Sequence, residues 1–150
     1  MNACVRLAMP PSLPRIWIKI SYASSIRQLF KNKNEHMKTR STNFNVSKEL
    51  TLEDVGERLK RQIMGYDGQL MMVKVLFEKG AIGYVHEHFH SQTTYIVRGK
   101  FEIMINGEKR ILEEGDGFYI EPDVPHGAVC LESGILIDVF SPIRAEFLKK

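Results

Sequence analysis

Two cysteines among 150 residues, Cys4 and Cys130, leave no disulfide framework to build. Cys130 sits in an apolar run and reads as a small buried hydrophobe rather than a reactive thiol. No run of about 18 apolar residues exists, which excludes a membrane-spanning helix. Ile16-Trp17-Ile18-Lys19-Ile20 is too short and too interrupted for a secretory h-region. Charge of one sign is also scarce, the formal net charge being +3. Even that excess is local. Residues 1–36 carry six basic side chains against Glu35 alone, which leaves fifteen basic against seventeen acidic in the rest. Residues 37–150 therefore lack the basic footprint that nucleic acid demands. With 43% apolar residues, the chain is expected to be one soluble domain in a reducing, cytoplasmic setting, without nucleic-acid or membrane partners.

What is present divides into a head and a domain. Pro10, Pro11 and Pro14 break the start of the chain. Residues 1–36 read as a disordered or non-native extension, and residues 37–150 as the domain. Thr51-Leu-Glu-Asp54 suits a helix N-terminus, although Gly56 would interrupt the helix within its first turns. From Leu59 on, the β signal is consistent. Strands are expected over Leu59 to Met64, Leu70 to Glu78, Thr93 to Val97, Phe101 to Ile105, Glu108 to Leu112, Phe118 to Ile120, Ala128 to Leu131 and Ile135 to Phe140. Asn106-Gly107 is a two-residue turn suited to type I′ geometry. Short strands separated by turn residues indicate an all-β barrel or sandwich. Ile143 to Lys150 is expected to form a short helical tail.

Four of the five histidines fall in two places: His86, His88 and His90 together, and His126 after Pro125. Imidazole is the commonest biological metal ligand. If His86 to Gln92 is a strand, His86, His88, His90 and Gln92 share one face. His126, from a second strand, would complete a metal site. Imidazole nitrogen suits Fe, Mn, Co, Ni, Cu and Zn alike, so the residues do not choose among them.

The spacing of these residues resembles the cupin superfamily. Gly80, five residues, His86, one residue, His88, three residues, Gln92, six residues and Gly99 match the first cupin motif, with Gln92 where glutamate is usual. Gly115-Asp116, followed by Glu121-Pro-Asp-Val-Pro-His126, matches the second. It departs at Glu121, where proline is usual, and at Asp123, where glycine or asparagine is usual. Within the superfamily, Gly65-Tyr66-Asp67, Phe77 to Gly83 and Pro125 to Leu148 resemble the KdgF-type pectin-degradation cupins. This likeness runs from about Leu59 to Leu148, with the barrel motifs over about 59–141.

The resemblance implies a small jelly-roll barrel (a double-stranded β-helix) holding one divalent transition metal ion, whether Ni, Zn, Fe, Mn or Co. The implied ligands are His86, His88, Gln92 and His126, with His90 left over as a neighbouring or substrate group. It also implies a homodimer. The implied reaction converts 4,5-unsaturated uronate monosaccharides, left by pectin or alginate lyases, into linear 5-keto-4-deoxyuronate by ring opening and ketonisation.

Three residues after His126 fit that substrate. Asp138 lies in an apolar run, where a carboxylate is costly unless paired or put to use. It is the candidate acid, and the bland alternative is an ion pair with Arg144. Arg144 offers a planar fork to the carboxylate of a uronate. Phe140 shares the face of Asp138 and offers a ring to the sugar, the alternative being core packing. Tyr95 and Tyr119 read as packing residues or pocket hydroxyls. Competing readings of the same barrel are a cupin dioxygenase, another metal-dependent sugar isomerase, and a non-enzymatic sugar-binding cupin. Dioxygen consumption and metal content distinguish the dioxygenase.

Overall fold

The computed structural model describes residues 40–149, and the expectation for residues 1–36 lies outside them. Eight strands succeed one another: β1 (Glu53–Gly56), β2 (Leu59–Tyr66), β3 (Met71–Phe77), β4 (Ile82–His86), β5 (Ser91–Ile105), β6 (Glu108–Glu113), β7 (Gly117–Ile120) and β8 (His126–Ser141). All pairings are antiparallel. The hydrogen-bonded path runs β1-β2-β3-β8-β5-β6, with β4 added to β8 and β7 to β5. This is the small jelly roll that the resemblance implies, within the all-β class that the turn spacing predicts.

Two strands hold the fold together. β8 pairs with β4 through its first residues and with β3 through its last. β5 pairs with β8 along almost its whole length, with β7 at its start and with β6 at its end. The sequence suggests four short strands here, and the chain instead makes two long bent ones. The bend falls where the β5–β8 register shifts, between Ile96 and Phe101. Two glycines make it sterically feasible. Gly99 has φ +96, and a Cβ there would lie 2.6 Å from the Gly134 Cα. A Cβ on Gly134 would lie 2.7 Å from Phe101 Cζ. Only residues without side chains let the two backbones approach this closely.

Other local expectations resolve on similar grounds. Asn106 and Gly107 take φ 49 and 83, as a type I′ turn requires. Thr51 to Asp54 caps no helix. Glu53 and Asp54 enter β1 and pair with Arg61 and Lys60, because the turn at Glu57 and Arg58 folds them back onto β2. The tail makes a short 3-10 turn at Ala145–Leu148. Cys130 is buried and free, and its thiol donates to the Glu132 carbonyl. Tyr95 and Tyr119 are 52% and 56% exposed on the outer face of β5 and β7, so neither lines the interior.

Register sorts the interior into rows across β3, β8, β5 and β7. Residues directly opposite one another in antiparallel strands project to the same face. Val75, Leu136 and Ile96 form one apolar row above Phe77, Phe101 and Cys130. The next row is Val73, Asp138, Thr94 and Phe118. Beyond it lie Met71, Phe140, Gln92 and Ile120. Three polar side chains, Asp138, Thr94 and Gln92, are thus built into an otherwise apolar wall.

The crossing of β5 and β8 carries a stability test. Gly134→Ala should lower the unfolding free energy by about 2 kcal/mol, because Phe101 is fully buried and cannot retreat. Gly107→Ala, with φ +83 and nothing within 4 Å, should cost only about 1 kcal/mol. Urea unfolding of both variants checks this, and equal losses would refute the crowding.

Candidate metal centre

The histidine segment is not a strand throughout. β4 ends at His86, and β5 begins at Ser91. The β4–β8 register already shifts between Gly83 and His86. His88 and His90 therefore sit in a bend, and simple alternation does not bring the donors together. His86 pairs directly with His126 across β4 and β8. The bend turns His88 back toward that pair and is held by the Asp123 amide, which donates to the His88 carbonyl at 2.8 Å. Asp123 takes φ 61 at the turn before His126, a conformation that Asp tolerates.

His86, His88 and His126 form one group, with a ligating atom from each lying within 4.8 Å of the others. Their rings are oriented by one device used three times. The Nδ1–H of His86 donates to the Tyr84 carbonyl at 2.9 Å, that of His88 to His90 at 3.1 Å, and that of His126 to Val124 at 2.8 Å. Each carbonyl lies two residues away in the chain. A ring that donates through Nδ1 carries its lone pair on Nε2. His126 Nε2 is buried without a partner among the described residues.

Gln92 adds a fourth lone pair. Its carboxamide NH2 donates to Thr94 Oγ1 at 3.0 Å and to Asp138 Oδ1 at 3.2 Å. That orientation points Oε1 at His88 Nε2, 3.1 Å away. Two acceptors face each other there, an arrangement that repels when empty and suits a cation between them. The electrostatics of His88 and His126 agree with this reading. Burial lowers the His126 pKa to about 4, with the neighbouring histidines and Arg144 adding to the effect. Burial, and then the charge of Arg144, lower that of His88. Metals bind the neutral ring. The donor set therefore fits a divalent transition metal, with imidazole nitrogen dominant.

Asp138 lies directly behind Gln92. The Thr94 hydroxyl donates to its Oδ1 at 2.6 Å. Burial pushes the Asp138 pKa up to about 6, against the opposing pull of Thr94, Gln92 and Arg144. Arg144 does not pair with Asp138. Its Nε–H donates to Glu146 Oε1 at 2.7 Å, and its guanidinium lies 4.3 Å from the Phe147 centroid and 5.1 Å from that of Phe140. Phe140 is 2% exposed and meets the edges of His88 and Phe147. It offers a guanidinium and an imidazole its ring, and no free face. The imidazole of His90 is turned away from the triad, its Nε2 lying 3.2 Å from the Ile143 carbonyl oxygen.

Sequence reasoning missed Thr94, Glu146 and Phe147. Thr94 was within reach, because a strand residue two places from Gln92 shares its face. Glu146 and Phe147 matter only through the local turn that returns them to Arg144, and no spacing signals that.

Comparison with known proteins agrees with the geometry. The cupin domain family matches residues 73–140. The pectin degradation protein KdgF of Dickeya dadantii (strain 3937) is 48% identical over 105 residues, covering 69% of this chain and 96% of that protein. An RmlC-like cupin from Shewanella frigidimarina NCIMB 400 is 48% identical, with a TM-score of 0.71 over 73% of this chain and 98% of that one. KdgF from Halomonas sp. is 39% identical, with a TM-score of 0.68 over 71% and 99%.

Elemental analysis of the purified protein should find one equivalent of a divalent transition metal. His126→Ala should weaken its retention against a chelator by more than about a hundredfold, since even residues behind the ligands are worth 10- to 100-fold. Undiminished metal in that variant would refute the site.

Proposed function

The chain belongs to the KdgF family of cupins, and from that premise we propose that it converts 4,5-unsaturated uronate monosaccharides into linear 5-keto-4-deoxyuronate. It is a metal-dependent isomerase of the carbohydrate products that pectin or alginate lyases release. The observation that carries this reading is the Gln92 carboxamide, whose NH2 donates to an acid, Asp138, while its Oε1 faces Nε2 of His88 in the histidine triad. A closed structural metal site has no use for such a neighbour.

In this proposal His86, His88, Gln92 and His126 hold the metal. When bound, the metal supplies Lewis-acid stabilisation of charge on a sugar oxygen. The remaining chemistry belongs to the side chains. The substrate is an enol ether whose C4–C5 double bond is conjugated with its carboxylate. Breaking the C1–O bond of the hemiacetal leaves an aldehyde at C1 and an enol at C5. The enol becomes a ketone when C4 gains a proton and the enol oxygen loses one, so the product has the atoms of the substrate. Asp138 delivers the proton to C4, directly or through water. Both of its hydrogen bonds land on Oδ1, and among the described residues none engages Oδ2. Arg144 receives the uronate carboxylate, for which its unused NH groups form a fork. Phe140 keeps Arg144 and His88 at fixed heights above the barrel.

The working unit in this proposal is residues 37–150, acting as a cytoplasmic homodimer. Among the described residues no helix is long and apolar enough to cross a membrane.

Three measurements test the proposal. Absorbance of the conjugated double bond of unsaturated galacturonate should fall with wild-type protein, stop with chelator, and proceed without dioxygen uptake at an electrode. Asp138→Asn should keep its metal and lose turnover by about 10²–10⁴-fold. Arg144→Ala should keep its metal and lose about 10- to 100-fold in kcat/KM, the worth of a charged hydrogen bond. Wild-type rates in both variants would refute the roles, and oxygen consumption would favour the dioxygenase reading. Deleting residues 1–36 should leave melting temperature and metal content unchanged, and a large loss of either would place those residues in the working unit.

A further inference from the structure

Among the described residues, one histidine is left without a role in that chemistry. Resting on the proposed uronate reaction, we propose that His90 is the positioning residue for Arg144, acting through the backbone carbonyl of Ile143.

His90 is 2% exposed. Its Nε2 lies 3.2 Å from the Ile143 carbonyl oxygen, which can only accept, so Nε2 carries the hydrogen. The lone pair then sits on Nδ1, which is buried and has no partner among the described residues. One polar contact therefore sets the angle of the ring. Phe89 covers one face, with centroids 3.9 Å apart, and Phe140 meets the ring edge-on at 6.4 Å.

The residue works from both ends. Its backbone oxygen accepts the Nδ1–H of His88 and so orients a ring of the triad. Its side chain holds Ile143, the residue immediately before Arg144. The other polar partner of Arg144 cannot anchor it to the barrel. Glu146 belongs to the same terminal segment and would travel with it. The remaining ties are not directional. Ile143, Phe147 and Leu148 pack against Met71, Val73 and Phe140, and the Arg61 guanidinium lies 4.0 Å from the Phe147 centroid. Among the described residues, the His90–Ile143 bond is the one hydrogen bond that ties residues 142–149 to the barrel. Apolar packing keeps that segment down. A directed bond sets where along the wall Arg144 sits, and hence where a carboxylate is received.

The test uses the full-length, metal-loaded protein with His90→Leu, His90→Asn and His90→Gln. A glutamine side chain places its Nε2 about as far from the backbone as histidine Nε2, whereas asparagine reaches only as far as Nδ1. Three readouts apply: steady-state kinetics on unsaturated galacturonate, metal content, and the NMR signal of the Arg144 Nε–H, identified by its loss in Arg144→Lys. The Leu and Asn variants should keep full metal, raise KM about tenfold with kcat within about threefold, and shift or broaden the Arg144 signal. The Gln variant should restore both KM and signal. Wild-type KM and an unmoved signal in the Leu variant would overturn the proposal. So would loss of metal, which would make His90 a ligand, or a Gln variant as impaired as Leu. If Leu fails to fold, the contrast between Gln and Asn decides. If the wild-type protein turns over no unsaturated uronate, the proposed function fails by itself, and the Arg144 signal still decides the role of His90.

Discussion

The Gln92 carboxamide has a donor end and an acceptor end, and the site depends on which way it faces. Its NH2 can be satisfied only by acceptors, and Thr94 and Asp138 supply them from the next row of the barrel wall. The Oε1 is then held on the side of His88 Nε2. A glutamate at this position would face Asp138 carboxylate to carboxylate, a repulsion that glutamine removes. A neutral amide thus lets a carboxyl group sit directly behind the histidine triad. The same bonds oppose, without overcoming, the effect of burial on Asp138.

That arrangement depends on the two long strands. Gln92 and Thr94 lie on the first half of β5, and Asp138 and Phe140 lie opposite them on the second half of β8. His126 opens β8 and pairs with His86. The bends at Gly99 and Gly134 carry each strand from one wall to the other, so β8 delivers His126 at one end and Asp138 at the other. The apolar rows around Ile96, Phe101 and Leu136 supply the burial that holds these strands in register. The polar groups above them are tolerated because they bond to one another.

The rim of the site is built differently. Arg144 is carried by a short terminal segment whose packing against Met71, Val73 and Phe140 is mostly apolar. Its charge is spread over Glu146 and the faces of Phe140 and Phe147 rather than spent on Asp138. This keeps Asp138 and Arg144 as separate groups with different partners. A direct ion pair between them would have consumed both.

Much of this was legible in the chain because it is local. Turn residues announced the strands, Asn106-Gly107 announced a hairpin, and the spacing from Gly80 to Gly99 and from Gly115 to His126 marked the three histidines that the fold brings together. Even the ring orientations are local, since each Nδ1 is held by a carbonyl two residues away. What the sequence could not determine lies in long-range register. Alternation alone puts the histidines on one face of a strand, yet they converge because the strand stops at His86. Charge alone pairs Asp138 with Arg144, yet Asp138 bonds to Thr94, 44 residues away. Cross-strand partners are chosen by which rows of side chains fill the barrel, a property of all the strands at once. Residue types and spacings therefore named the donors, and only the closed barrel decided which lone pair faces which.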